Sequence, residues 1–222
     1  MSARRCPDKI ACVAASVFVG LAGGTGAGKT ALGDALARAV GARSVLRIPH
    51  DAYYRDHPDL SSDERDALNF DHPDALETEL LVAHLAALRA GGAIALPVYD
   101  FARHRRTSAS RMVRPRPLVL VEGILVLSDP ALRACLDLAV FVDAPETLRL
   151  ERRIARDVAE RGRSASSVRE QFAKTVAPMH AEFVAPSRAF AGLCIDNDGA
   201  LSRALEPLFE RVRSLLRQAE RA

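Results

Sequence analysis

The sequence predicts an α/β protein with a five-stranded parallel sheet flanked by helices. Three observations carry this expectation. Strand-like apolar runs alternate with segments of helical periodicity, the pattern of a parallel sheet covered on both faces. Two of the runs, Pro117-Leu-Val-Leu-Val-Glu122 and Leu136-Asp-Leu-Ala-Val-Phe-Val-Asp143, are almost continuously apolar, as strands buried on both sides are. A glycine-rich segment, Gly23 to Thr30, also stands directly between an apolar run and an amphipathic stretch.

Residues 1–15 read as a loose leader and 16–222 as one domain. Arg4-Arg5 followed by Ile10 to Ala22 has the outline of a signal peptide. Cleavage there would fall beside the glycine-rich loop, and a strand from about Ser16 to Ala22 accounts for the same residues and for the loop after them. A helix runs from Lys29 to about Val40, and Gly41 stops it. Ser44-Val-Leu-Arg-Ile48 is a second strand, ending at Pro49-His50-Asp51. Ser61 or Ser62, before Asp63-Glu64, caps a helix reaching Leu68. Leu76, Leu80, Leu81, Leu85 and Leu88 repeat at helical spacing, and Gly91-Gly92 ends that helix.

Ala93 to Val98 and Arg111 to Arg114 fit a two-stranded ribbon with a loop at Tyr99–Ser110, an insertion over about 93–114. The strands at Pro117–Glu122 and Leu136–Asp143 follow. A helix from about Pro145 carries Leu150, Ile154 and Val158 on one face and Arg149, Arg153 and Arg156 along another. Gly192–Asp196 is a short last strand, and Ala200 to about Ala219 the last helix. There is no internal repeat and no low-complexity segment.

At 222 residues the chain has room for one substantial core. A net charge of +3 is too small to mark a nucleic-acid binder. The uneven basic runs at Arg103–Arg106 and Arg149–Arg163 suit phosphate handling instead. No other apolar run approaches transmembrane length, so neither nucleic acid nor membrane is an expected partner. Cys6, Cys12, Cys135 and Cys194 show no C-x-x-C spacing and no accompanying His cluster, which argues against zinc. Cys135 and Cys194 read as small core residues, and a reducing cytoplasm fits all four.

Gly23-Gly24-Thr25-Gly26-Ala27-Gly28-Lys29-Thr30 has the form G-x-x-x-x-G-K-[ST]. Glycines let the backbone wrap a phosphate with its N–H groups inward. Lys29 can reach the β- and γ-phosphates, Thr30 offers a hydroxyl to Mg²⁺, and the helix that starts there points its positive dipole end at the same charge. The chance-turn reading is weaker, because strand and helix flank the loop as the motif requires. A nucleoside triphosphate, ATP or GTP, with Mg²⁺ is the expected ligand.

Ligands of parallel sheets gather at the carboxyl ends of the strands. There the sequence places Asp51, Glu122 and Asp143 beside the phosphate loop. One such carboxylate can hold Mg²⁺ through water and another can take a hydroxyl proton from a phosphoryl acceptor, although a strand-end acid also serves as a helix cap or loop anchor. Arg149, Arg152, Arg153, Arg156, Arg161 and Arg163 form either a solvated face paired with Glu151, Asp157 and Glu160, or a lid, about 149–176, that neutralises transferring phosphate. Gly162 between two arginines favours the lid.

Asp51-Ala-Tyr-Tyr54, Asn69-Phe-Asp-His-Pro-Asp-Ala75, Leu96-Pro-Val-Tyr-Asp-Phe101, Glu122-Gly-Ile124, Arg153-Ile-Ala-Arg-Asp157 and Glu160-Arg-Gly-Arg163 together resemble the uridine kinase (uridine–cytidine kinase) family, in order from about Val17 to Phe190. The resemblance implies a P-loop kinase fold with a small β-ribbon over the nucleoside site and an Arg-rich helical lid. It implies transfer of the γ-phosphoryl group of ATP or GTP to the 5′-hydroxyl of uridine or cytidine in pyrimidine salvage. It makes Asp51 the general base, with Lys29 and Thr30 at the phosphates and magnesium and Glu122 and Asp51 behind the metal's waters. Asp71 and Arg153 would hold the ribose hydroxyls, and Gln171 would add a nucleoside contact. Tyr99 and His104 would meet the pyrimidine edge, Tyr54, Phe70, Phe101 and Ile124 would wall the base, and Arg156, Arg161 and Arg163 would lie on the lid. A homo-oligomer, tetrameric in several members, and feedback by CTP and UTP also follow from the resemblance. Near the end, Ile195-Asp-Asn-Asp-Gly199 stands where many members carry a Pro-Arg-Gly-Gly-like turn on the side of the donor's base.

The chemistry agrees with these roles. A primary alcohol is a weak acid and needs a nearby proton acceptor, a carboxylate can accept both hydroxyls of a vicinal diol, and aromatic rings wall a base. His104 can donate to a uracil carbonyl or accept from a cytosine amino group according to its tautomer. Phosphoribulokinase-like or pantothenate-kinase-like action on another small hydroxyl substrate is the enzymatic alternative. A P-loop switch is the non-metabolic one, and no N-K-x-D motif supports it.

Overall fold

The strand β1 (Val17–Ala22) is buried at every position, and its side chains alternate between two cores. Phe18 and Ala22 enter one, while Val17, Val19 and Leu21 enter the other, as the period of two requires. In this computed structural model, which describes residues 15–101 and 103–221, β1 is the middle strand of the expected five. The leader, with Cys6 and Cys12, lies outside the described residues except for Ala15. Around β1 stand β2 (Val45–Pro49), β5 (Leu118–Glu122), β6 (Leu138–Asp143) and β7 (Leu193–Asp196) in the order β2-β5-β1-β6-β7, all parallel. The helices α1 (Lys29–Val40) and α9 (Leu201–Ala219) cover one face through Leu32, Leu36, Leu208 and Val212. The opposite face is covered by α3 (Thr78–Arg89) and α4 (Pro130–Ala134), through Leu81, Leu85, Leu88 and Leu132. Among the described residues, no helix is long and apolar enough to cross a membrane.

Local signals set most element ends. Ser61 caps α2 (Ser62–Asp66) in a reciprocal box with Glu64. Asp129 caps α4, accepting from the Leu132 N–H at 2.8 Å, with Pro130 at the first helical position. The third helix starts later than the leucine spacing suggests. Leu76 is extended and bridges Tyr54, and the Glu77 N–H donates to Tyr53 O at 2.8 Å. These bonds fasten the segment from Asp71 to Leu76 against the one from Asp51 to Tyr54.

The ribbon is longer than expected. The strands β3 (Ile94–Asp100) and β4 (Arg105–Val113) pair antiparallel, so most of the expected loop Tyr99–Ser110 is strand. The sequence of β4 has no apolar alternation because the strand is held by charge and not by a core. Arg106 donates to Glu77 Oε2 at 2.7 Å and to Tyr54 O at 2.9 Å, while its N–H meets Asp56.

Of the two described cysteines expected in the core, Cys135 is half-buried and packs against it, whereas Cys194 is exposed. Cys194 lies on the edge strand β7, where the neighbouring Ile195 takes the inward place.

Candidate active site

The phosphate loop is shaped by close backbone contact. Gly26 (φ 76°) and Gly28 (φ 89°) adopt left-handed conformations that side chains disfavour. A Cβ on Gly26 would also stand 2.1 Å from Arg149 O, and one on Gly28 would stand 2.3 Å from Asn197 Nδ2. Replacing Gly26 by Ala is therefore expected to cost about 1–3 kcal/mol of stability and to abolish stabilisation by ATP. Thermal unfolding with and without the nucleotide checks both.

Lys29 opens α1 and folds back, its Nζ donating to Gly23 O at 2.8 Å and Gly24 O at 2.9 Å. Burial lowers its pKa to about 8, against the opposing pull of Asp51 and Glu122. Gly23, Gly24 and Ala27 are buried behind the loop, and Thr30 is exposed at its rim. Asn197, which the sequence reading did not single out, clamps the loop from the end of β7. Its Nδ2 donates to Ala27 O at 2.7 Å, its N–H to Asp143 O, and its own carbonyl accepts from Arg152 at 2.9 Å. Thus the segment Ile195–Gly199 braces the phosphate loop. An isolated polar residue after a short strand carries no periodic signal that would reveal this.

Two adjoining cavities open at the carboxyl end of the sheet. The larger, about 550 Å³, is lined by Gly26, Gly28, Lys29, Thr30, Asp34 and Glu122 among others. The smaller, about 120 Å³, is lined by Tyr54, Phe70, Asp71, Tyr99, Phe101, His104, Ile124, Arg153 and Gln171, together with Arg163. These first nine are the residues expected to meet a nucleoside. Thr25, Asp51, Ile124, Arg156 and Arg161 line both cavities. Asp51 therefore stands where the contents of the two would meet, in the short 3₁₀ turn His50–Tyr53 that follows β2.

Burial dominates the titration of the acids here. It raises the pKa of Asp51, where Lys29 opposes the shift and Asp71 adds to it. Burial also raises Asp71 against the pull of Arg153, and raises Glu122 against that of Arg47. One oxygen of Glu122 accepts from Arg47 at 2.5 Å, and the other, Oε2, is buried with no hydrogen-bond partner. Among the described residues, no three His, Cys, Asp or Glu side chains stand together as a metal cage. Thr30, Asp51 and Glu122 suit a magnesium ion that shares its coordination with phosphate oxygens and water, and the unpaired Glu122 oxygen fits that use.

The wall of the smaller cavity is a run of ring contacts. Tyr54 packs on Phe70 (5.2 Å) and Tyr99 (5.3 Å), Tyr99 on Phe101 (5.3 Å), and His104 stacks on Phe70 at 4.6 Å. His104 has a positive φ of 48° at the ribbon turn, which aims its ring at the cavity.

The arginine-rich helix after β6 inverts the usual amphipathic order. In α5 (Glu146–Arg161) the buried stripe is Arg149, Arg153 and Asp157, and Val158 is 45% exposed. Asp157 is fully buried and gathers Arg156 (2.8 Å), Arg153 (3.6 Å), Arg161 (3.6 Å) and Arg163 (3.7 Å). The solvated-face reading of this segment fails for that stripe. Gly162 (φ 64°) ends α5, and α6 (Ala165–Gln171) returns. Gln171 accepts from Arg153 at 2.8 Å and Arg163 at 2.7 Å, so in this structure its carbonyl orients those two arginines. The rod continues to Ser187 through α7 (Ala177–Met179) and α8 (Ala185–Ser187), each preceded by a wide π turn. Pro178 and Pro186 lack the N–H that an ordinary ladder needs there.

Residues 18–199 match the phosphoribulokinase / uridine kinase family. The chain is 45% identical over 200 residues to a uridine kinase of Chloroflexus aggregans, covering 90% of this chain and 96% of that one. To a uridine kinase of Ligilactobacillus salivarius it is 40% identical over 205 residues, with 92% and 96% covered. A phosphoribulokinase structure from Rhodobacter spheroides superposes with a TM-score of 0.62 over 82% of this chain and 70% of that one, at 18% identity, a likeness of fold.

Proposed function

This chain belongs to the phosphoribulokinase / uridine kinase family, and we propose that it transfers the γ-phosphoryl group of ATP or GTP to the 5′-hydroxyl of uridine or cytidine, giving UMP or CMP. The observation that carries this reading is the position of Asp51, which lines both a loop-built phosphate cavity and an aromatic-walled cavity. A triphosphate in the first and a nucleoside in the second would meet at that carboxylate. Lys29 and the lid arginines Arg156, Arg161 and Arg163 then face the charge that moves between donor and acceptor. Magnesium bound with the triphosphate would be held by Thr30 and, through water, by Glu122 and Asp51, and would supply neutralisation of phosphate charge. Asp71 and Arg153 hold the ribose diol, and His104 and Tyr99 meet the base edge.

Phosphoribulokinase-like or pantothenate-kinase-like substrates are not favoured, because a sugar phosphate would call for more cations and no ring-lined wall. We propose a cytoplasmic homo-oligomer; several members of the family are tetramers. A coupled assay of ADP formation over a panel of nucleosides tests the function. Uridine and cytidine should drive turnover, and ADP release that needs no nucleoside would overturn the reading.

The diol contact gives a sharper expectation. 2′-Deoxyuridine should be a much poorer substrate than uridine, because the polar groups facing the missing hydroxyl lose their partner. Asp71→Asn should raise KM sharply by turning one acceptor into a donor. Equal kcat/KM on the ribo and deoxy substrates would remove this role.

A further inference from the structure

Arg47 sits where the alternation of its strand calls for an apolar residue. Along β2, Leu46 and Ile48 enter one core and Val45 the other, so Arg47 shares the α1 side of the sheet with Val45. Its guanidinium joins two acids from different elements. Nη2 donates to Glu122 Oε1 at 2.5 Å, and Nη1 donates to Asp34 Oδ1. The helix α1 makes room for it. Gly33 is buried in the helix interior, where glycine is disfavoured relative to alanine. A Cβ there would stand 3.3 Å from Arg47 Nη2 and 3.2 Å from Leu120 Cδ2.

Asp34 lies one turn beyond Thr30 on the same face of α1, and Thr30, Asp34 and Glu122 line the same cavity. Arg47 is not among that cavity's lining residues. A charge-assisted bond from one arm of the guanidinium holds Oε1 of Glu122 in place, and the oxygen left over, Oε2, is the buried one without a partner.

We propose that Arg47 is a positioning residue that ties Glu122, at the end of β5, to α1 and so sets the free oxygen of Glu122 for the waters of the magnesium held by Thr30. This rests on the reading of Glu122 as the metal-side carboxylate. Arg47 acts through Glu122 and touches neither nucleotide nor acceptor.

The test is a double-mutant cycle on the full chain, read by the magnesium titration midpoint of two signals. One is the ADP-induced rise in melting temperature, which needs no turnover, and the other is steady-state activity. Glu122→Gln should raise the midpoint about 10-fold or more, and Arg47→Met should raise it about 10-fold, in the range for partners that orient metal-side groups. Stabilisation by ADP in the presence of EDTA should stay within about 2-fold of wild type in Arg47→Met, because the phosphate loop is untouched. Arg47→Met added to Glu122→Gln should change the midpoint by less than about 2-fold. Arg47→Lys, which keeps the charge without the fork, should fall between wild type and Arg47→Met, and it serves if Arg47→Met does not fold. A raised midpoint in Glu122→Gln with none in Arg47→Met, or effects that multiply in the double variant, would overturn the role of Arg47. An unchanged midpoint in Glu122→Gln would overturn the reading of Glu122 beneath it.

Discussion

Asp51→Asn is expected to lower kcat by about 10²–10⁴-fold with ATP affinity close to wild type. The change keeps the side chain's shape and removes the proton acceptor. Lys29 and the loop amides still hold the triphosphate. The loosely bonded transition state of phosphoryl transfer, in which the acceptor proton leaves late, places the loss toward the lower end. Burial holds Asp51 above the ordinary carboxylate range. A base must be ionised, so kcat/KM should fall as pH drops through that raised pKa, and the Asp51 step of the acid limb should be missing in Asp51→Asn, leaving only what Asp71 and Glu122 contribute. A concurrent loss of ATP affinity only when Mg²⁺ is present would assign Asp51 a part in holding the metal's waters as well. An unchanged kcat would rule it out as the base.

Lys29→Ala is expected to lower turnover by about 10²–10³-fold or more, the usual loss when one preorganised donor at developing charge is removed. The fold should survive. Lys29 lies at the start of a helix whose buried residues are elsewhere, at Leu32, Gly33, Ala35 and Leu36. The variant also loses the two bonds to Gly23 O and Gly24 O, so nucleotide affinity should fall with turnover. With its pKa near 8 in the free protein, the ammonium is partly deprotonated above that pH, and arriving phosphate charge raises the pKa again. ATP binding a little above pH 8 should therefore take up a proton. Calorimetry in buffers of different ionisation enthalpy measures this uptake, and Lys29→Ala should abolish it. Near-normal turnover in Lys29→Ala would remove the phosphate-loop reading.

The elements that matched the sequence are those specified by neighbours in the chain. Val17–Ala22 and Leu118–Glu122 are strands because unbroken apolar runs bury on both faces. Lys29–Val40 is a helix with a glycine stop, and Ser61 meets Glu64 in a box written three residues apart. The expectations that failed depended on distant partners. Arg105–Val113 is a strand held by Glu77, Asp56 and the opposite strand, with no apolar period to announce it. The leucine spacing placed Leu76 in a helix, and its bridge to Tyr54 kept it extended.

The sequence by itself determined the strands and helices along the chain, the phosphate loop and the strand-end acids, because hydrophobic period, capping and a glycine-rich turn act over a few residues, while the rings were expected only from the family resemblance. The tertiary structure decided how charge is buried. It turned the arginine stripe of α5 inward around Asp157, seated Asn197 against a loop 170 residues earlier in the chain, and placed Arg47 between Asp34 and Glu122. A charged or amide side chain enters a core only where a partner meets it, and the fold brings those partners together from remote parts of the chain.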